Sequence, residues 1–181
     1  DELEAAIRED TILVAIMWAN NETGVLQEVN AIGEICTRKG VFFFCDGTQA
    51  VGKIPVDPMT AGIHLMAFSA HTMYGPKGVG ALYVRRKNTP VKITAQLLGG
   101  GHERGRRSGT LNVPGIVGFG AAAAIAQVEM AAEMLRLSVW RDQLEVKLLE
   151  NLEKVSLNGS KEIRLPQITN LCFEFADAED V

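Results

Sequence analysis

The chain has 181 residues, 47% of them hydrophobic and 22% charged, with a formal net charge of -4. That length can bury a real core, and the composition argues against disorder. The acidic balance offers no basic field for nucleic acid, and no apolar run is expected to reach the length that spans a bilayer, so the chain reads as soluble. No signal or transit peptide pattern opens it.

Asp1 with Glu4 has the form of a capping box and predicts a short helix through Arg8. Residues 12–18 (ILVAIMW) are continuously apolar between polar flanks and read as a strand buried on both faces. The loop Asn20-Asn21-Glu22-Thr23-Gly24 follows, then a helical stripe of Ala31, Ile32 and Ile35 that stops at Gly40. Residues 41–45 (VFFFC), 63–68 (IHLMAF) and 80–84 (GALYV) predict three more strands. The interval between the last two is too short for a crossover helix, so they are antiparallel or not adjacent. From Pro114 a long alanine-rich helix is expected to about Lys154, breaking near Ser138, with one apolar face of Ile125, Val128, Ala132, Leu135 and Val139. Residues 171–175 look like a strand opening a second layer. The order of elements means α/β with a mainly parallel sheet.

Cys36, Cys45 and Cys172 are far apart and lack ligand spacing, which argues against zinc and against a disulfide framework. All three read as packing residues. Arg85-Arg86-Lys87 reads as a charged strand end, and Arg104, Arg106 and Arg107 as parts of a solvated glycine-rich loop.

In an open parallel sheet, ligands sit beyond the carboxyl ends of the strands. Three such ends carry polar side chains: Asn20 and Asn21, then Asp46 and Gln49, then Ser69 and His71. Each either caps its own turn or contributes to one shared site. A carboxylate at a strand end can hold a ring nitrogen protonated, as a pyridoxal-phosphate (PLP) enzyme requires. Gly47 and Thr48 are small enough to admit a flat ring, while Ser69 and His71 suit a phosphate. Asn21 and Gln49 suit a ring hydroxyl. Composition alone leaves a generic anion-binding α/β site.

Four blocks narrow this. Asn20-Asn21-Glu22-Thr23-Gly24, Asp46-Gly47-Thr48-Gln49, Ser69-Ala70-His71-Thr72-Met73-Tyr74-Gly75-Pro76-Lys77-Gly78 and the glycine- and arginine-rich run 99–110 resemble the cysteine desulfurases, on their NifS/IscS branch within the class V aminotransferase superfamily. The resemblance implies a three-layer, mainly parallel large domain of the aspartate aminotransferase type. Residues 1–128 would form part of it, and residues 129–181 the connecting helix and the beginning of a small α+β domain. It implies PLP as cofactor, with Asp46 on the pyridine nitrogen, Gln49 and Asn21 near the ring hydroxyl, and Ser69, Ala70 and His71 around the phosphate. Thr110 would reach the phosphate of a neighbouring subunit, which implies a homodimer. The substrate implied is L-cysteine, its sulfur passing to an iron–sulfur scaffold or another acceptor protein, in the cytoplasm or in an organelle if a leader is missing.

One position departs from the family. The residue after His71 should be the Schiff-base lysine, and here it is Thr72, which has no amine to form an imine or carry a proton. Loss of a positioned acid–base group costs roughly 10²- to 10⁴-fold in rate. Lys77 belongs to a turn that the family carries in addition and is no substitute. The resemblance also implies that this is a middle portion. The persulfide cysteine and the arginine for the substrate carboxylate would lie downstream, and the histidine stacked on the ring upstream. The expectation is a desulfurase-type chain that is itself inactive. The alternatives are a non-catalytic dimerisation or docking module of that descent, or a related aminotransferase or selenocysteine lyase.

Overall fold

The computed structural model describes residues 2–174 together with Ala176 and Asp177. Asp1 of the expected capping box and Phe175 of the last expected strand lie outside the described residues. The first helix, α1, covers Glu2–Ala6 and stops short of Arg8.

The four apolar runs become β1 (Leu13–Met17), β2 (Phe42–Asp46), β3 (Leu65–Ser69) and β4 (Gly80–Val84), in the order β1-β2-β3-β4. β1 and β2 pair in parallel, as do β2 and β3, while β3 and β4 are antiparallel neighbours. A short turn joins those last two, and only a hairpin-like return fits so little chain.

Helix α2 (Val29–Lys39) presents Val29, Ile32, Ile35 and Cys36 inward. It ends at Gly40, whose left-handed φ of 69° lets its amide close the last turn. Gly33 is where the helix meets the chain before β3, since a Cβ there would collide with the Ala61 carbonyl. Beneath α2 lie Val14, Phe43, Cys45 and Met66, with Ile63 completing the core. Phe43 and Ile63 are fully buried, each stabilising the fold by about 1.5–3 kcal/mol. Cys36 and Cys45 are fully buried as expected, and burial, with the Asp46 charge adding, pushes the Cys45 thiol up to about 12. Cys172 is exposed, contrary to its expected packing role.

Side chains alternate across a strand, so the register sorts the sheet into two faces. One face packs under α2. The other carries Leu13, Met17, Phe42 and Leu82, which are 38–49% exposed, together with Asp46 and Ser69. The strands are therefore not buried on both faces, and the expected incomplete three-layer fold has one of its helical layers among the described residues.

Helix α4 (Val113–Asn151) runs unbroken through Ser138, whose hydroxyl donates to the Leu135 carbonyl. Asn112 caps its start by accepting from the Gly115 amide, and Pro114 occupies the first turn. The expected apolar face is the outer one: Ile125, Val128, Leu135 and Val139 are 57, 83, 68 and 46% exposed, and Ala132 is exposed too. The packed line instead uses small residues. Gly118 meets Pro76, Phe119 stacks edge-on against Phe68 with ring centroids 5.9 Å apart, and Ala126 sits against Gly52. By length and composition alone α4 would also serve to cross a membrane, which the reading of apolar runs did not anticipate.

After α4, β5 (Val155–Leu157) and β6 (Leu171–Phe173) form a small antiparallel sheet, of which only β6 was expected. It is fastened to α4 by a buried ion pair. Arg164 donates from both terminal nitrogens to the two Glu145 oxygens, at 2.6 and 2.7 Å. The same segment binds the loop after β1: the Leu165 amide donates to the Gly24 carbonyl, and the Leu26 amide to the Ile163 carbonyl.

Candidate functional site

The carboxyl ends of β1, β2 and β3 lie side by side because the three strands are parallel and adjacent. Asp46 pairs in register with Met17 on one side and Ala67 on the other, and Ser69 lies two residues beyond Ala67. Standard strand spacing puts the Asp46 and Ser69 backbones roughly 8 Å apart.

At the first tip, Asn20 is fully used by its own turn. Its Oδ1 accepts from the Glu22 and Thr23 amides and from the Thr23 hydroxyl. That turn leaves Asn21 exposed at the corner. At the second tip, Asp46 accepts from the Thr48 amide through one oxygen at 2.9 Å. Gly47 is buried, and a Cβ on it would press on Met66, so its smallness serves core packing rather than access for a ring. Gln49 follows, and its Oε1 accepts from Lys53 Nζ at 2.8 Å.

At the third tip, Ser69 ends β3 and a short 3₁₀ turn covers His71–Met73. Tyr74 closes this turn in the left-handed region at φ 65° and is 84% exposed. Ala70 lies at the start of this turn. It is fully buried, its amide donates to the Val79 carbonyl, and its own carbonyl accepts from the Met73 and Gly75 amides. Its polar groups build the turn. Thr72 folds back to donate its hydroxyl to the Ser69 carbonyl at 2.9 Å. Among the described residues, the Asn21 amide, the Ser69 hydroxyl and the His71 imidazole make no side-chain hydrogen bond, and one Asp46 oxygen is uncommitted.

A cavity of about 200 Å³ lies beside these tips, between the turn after Gln49, the 3₁₀ turn and α4. Lys53, Thr72, Met73, Glu129, Met130 and Glu133 are among its lining residues. Asp46, Ser69 and His71 do not line it. Lys53 was absent from the sequence reading, although its spacing of four from Gln49 within a helical turn was a usable signal.

Thr110 is exposed on the loop that includes α3 (His102–Gly105). Glu103 and Arg104 take left-handed φ values of 50° and 58° there, and the Gly101 amide donates to the Ser108 hydroxyl. No hydrogen bond among the described residues joins Thr110 to the three tips. Arg85 directly follows the end of β4, as expected of a charged strand end, but it is buried and donates to the Met59 carbonyl at 3.0 Å.

Comparison with known proteins agrees with this architecture. The family described as Aminotransferase class-V matches residues 1–181. The chain is 54% identical over 180 residues to a cysteine desulfurase IscS of Pectobacterium atrosepticum, covering 99% of this chain and 44% of that protein. With the IscS of Shewanella frigidimarina it shares 50% over 181 residues, covering 100% and 44%. The solved NifS-like protein of Rickettsia africae superposes with a TM-score of 0.90 at 33% identity, covering 98% of this chain and 48% of that one. DndA of Streptomyces lividans superposes at 0.88 with 36% identity, covering 98% and 50%. The chain thus spans about 44% of the length of these curated relatives. A match along every residue, joined to the same parallel sheet, places the chain in the aminotransferase class-V family.

Proposed function

We propose that the three strand tips form the non-covalent part of a PLP site of cysteine desulfurase type. The observation that carries this reading is the row of uncommitted polar groups on adjacent tips: Asn21, Asp46, Ser69 and His71. Asp46 would face the pyridine nitrogen, Gln49 and Asn21 the ring hydroxyl, and Ser69 and His71 the phosphate. Ala70 would shape the turn without donating. Thr110 would serve the phosphate of a neighbouring copy, which makes a homodimer part of the reading.

The donor set fits such a group. It offers a carboxylate for a protonated ring nitrogen and neutral donors for an anion. When bound, PLP supplies an electron sink for bonds at the substrate α-carbon. In the whole protein, L-cysteine would give up its sulfur to an enzyme thiol, yielding L-alanine and an enzyme persulfide. That sulfur would go to iron–sulfur cluster assembly in the cytoplasm. Position 72 would be that of the cofactor-binding lysine, and Thr72 has no amine.

Two measurements test this. PLP added to the chain and reduced with borohydride should leave no adduct at Thr72, as read by peptide mass. Thr72→Lys in the complete protein should restore covalent cofactor absorbance and sulfide release from L-cysteine. A Thr72→Lys protein that ignores both would sink the desulfurase reading. The second reading, a non-catalytic dimerisation or docking module of the same descent, is favoured by Thr72 itself. It predicts dimers whose formation is indifferent to PLP.

A further inference from the structure

We infer that Lys53 is a positioning residue for the strand-tip site: its ammonium fixes which end of the Gln49 amide is offered to a ligand. This rests on the cofactor reading above and adds to it the kind of ligand oxygen that the site selects.

An ammonium only donates, so the Gln49 atom facing Lys53 Nζ at 2.8 Å must be the carbonyl oxygen. The amide therefore cannot flip without setting two donors against each other. Its nitrogen, with two N–H groups, makes no hydrogen bond among the described residues and is not among the buried unsatisfied atoms, so it remains open to solvent. Gln49 thus presents a donor face only. Such a face holds an accepting oxygen, and it holds an ionised ring hydroxyl more strongly than a neutral one.

Competition for Lys53 is weak. Glu129 and Glu133 line the same cavity, yet neither hydrogen-bonds to Lys53 among the described residues. Glu133 is held by a bidentate Arg136, whose Nε donates to Oε2 at 2.9 Å and whose Nη2 donates to Oε1 at 2.7 Å. Lys53 is half-buried, and burial lowers its ammonium pKa below the ordinary lysine value. A half-dehydrated cation with one close acceptor keeps that acceptor in place. Thr72, at the position where the family's amine would be, lines the same cavity as Lys53.

The test uses probes without an aldehyde, so position 72 has no part in it. Pyridoxine 5'-phosphate, which carries the ring hydroxyl, is titrated against the chain and against Lys53→Met, alongside its 3-deoxy counterpart. The hydroxylated probe should bind about tenfold more weakly to Lys53→Met, as expected for one lost charge-assisted contact, while the 3-deoxy probe binds both proteins equally. Lys53→Arg should restore the affinity to within about threefold. Equal weakening of both probes would mark Lys53 as merely structural and overturn the inference. In the ligand-free protein, the side-chain amide signals of Gln49 should shift in Lys53→Met. Unchanged signals would sink the inference by themselves, whatever the probes do. Failure of both probes to bind the unmodified chain would overturn the cofactor reading, and the proposed selection with it.

Discussion

Two polar regions of this chain look alike in composition and differ in every physical respect. Arg164 and Glu145 form a two-pronged ion pair whose side chains are 1% and 6% exposed. Asp46, Asn21 and His71 stand exposed at strand tips, and the one side-chain hydrogen bond among them is local, from the Thr48 amide to Asp46. The first region has its charges matched and removed from water, so it serves cohesion. The second has charges and donors with capacity to spare, which is what the proposed ligand site requires. Polarity does not separate structure from site here; commitment does.

The largest break in that contrast should come from Arg164→Met, which strands the Glu145 carboxylate in the interior. Removing one member of a buried pair costs about 3–5 kcal/mol, readable as a lowered midpoint in chemical denaturation. The double variant Arg164→Met with Glu145→Leu should recover much of the loss, because both charges are gone. Burial pushes the Glu145 carboxyl up, but the Arg164 hydrogen bonds and charge outweigh it and hold it below the ordinary 4.5. Its contribution is therefore full above that value and is lost as pH falls through the lower, folded one. An Arg164→Met protein as stable as the parent would show that the small sheet is not fastened to α4 in this way.

The two regions were not equally legible beforehand. The strand tips could be read because a polar side chain at the end of an apolar run has one place to be. Arg164 and Glu145 are 19 residues apart and of types that are usually exposed, so no local pattern announces them. The helix α4 misled for a different reason. Ile125, Val128, Leu135 and Val139 form a true apolar stripe, but the helix packs through Gly118, Ala122 and Ala126, whose small side chains let it come close, and through the ring of Phe119. Periodicity found an apolar face and could not say which of two was covered. Strand β5 escaped because three residues are too few to show alternation.

A smaller effect is expected at the opposite end of the strands, where His64 precedes β3. Its Nδ1 accepts from the Phe43 amide at 3.1 Å, and burial, reinforced by the Arg85 charge, lowers its pKa below 6.5. The folded chain keeps it neutral while the unfolded chain takes up the proton. Stability is therefore full above pH 6.5 and declines as pH falls towards the folded value. Denaturation midpoints between pH 8 and pH 5 should show this slope, and His64→Leu should flatten it at the expense of the lost acceptor. A slope that survives in His64→Leu would place the titrating group elsewhere.

The smallest effect on stability should follow from Asp46→Asn, and its smallness is the point. The substitution keeps an oxygen for the Thr48 amide and removes only the charge. Denaturation should move by no more than about 0.5 kcal/mol, as for surface changes that break no buried contact. Binding of pyridoxine 5'-phosphate should fall by about tenfold or more, because a charged hydrogen bond to the ring nitrogen is lost. Stability and binding would then respond in opposite proportion at Asp46 and Arg164. A charge at the strand tip that mattered as much to folding as the buried pair would mean that Asp46 is held by the fold for its own sake, and the tips would have no claim to be a site.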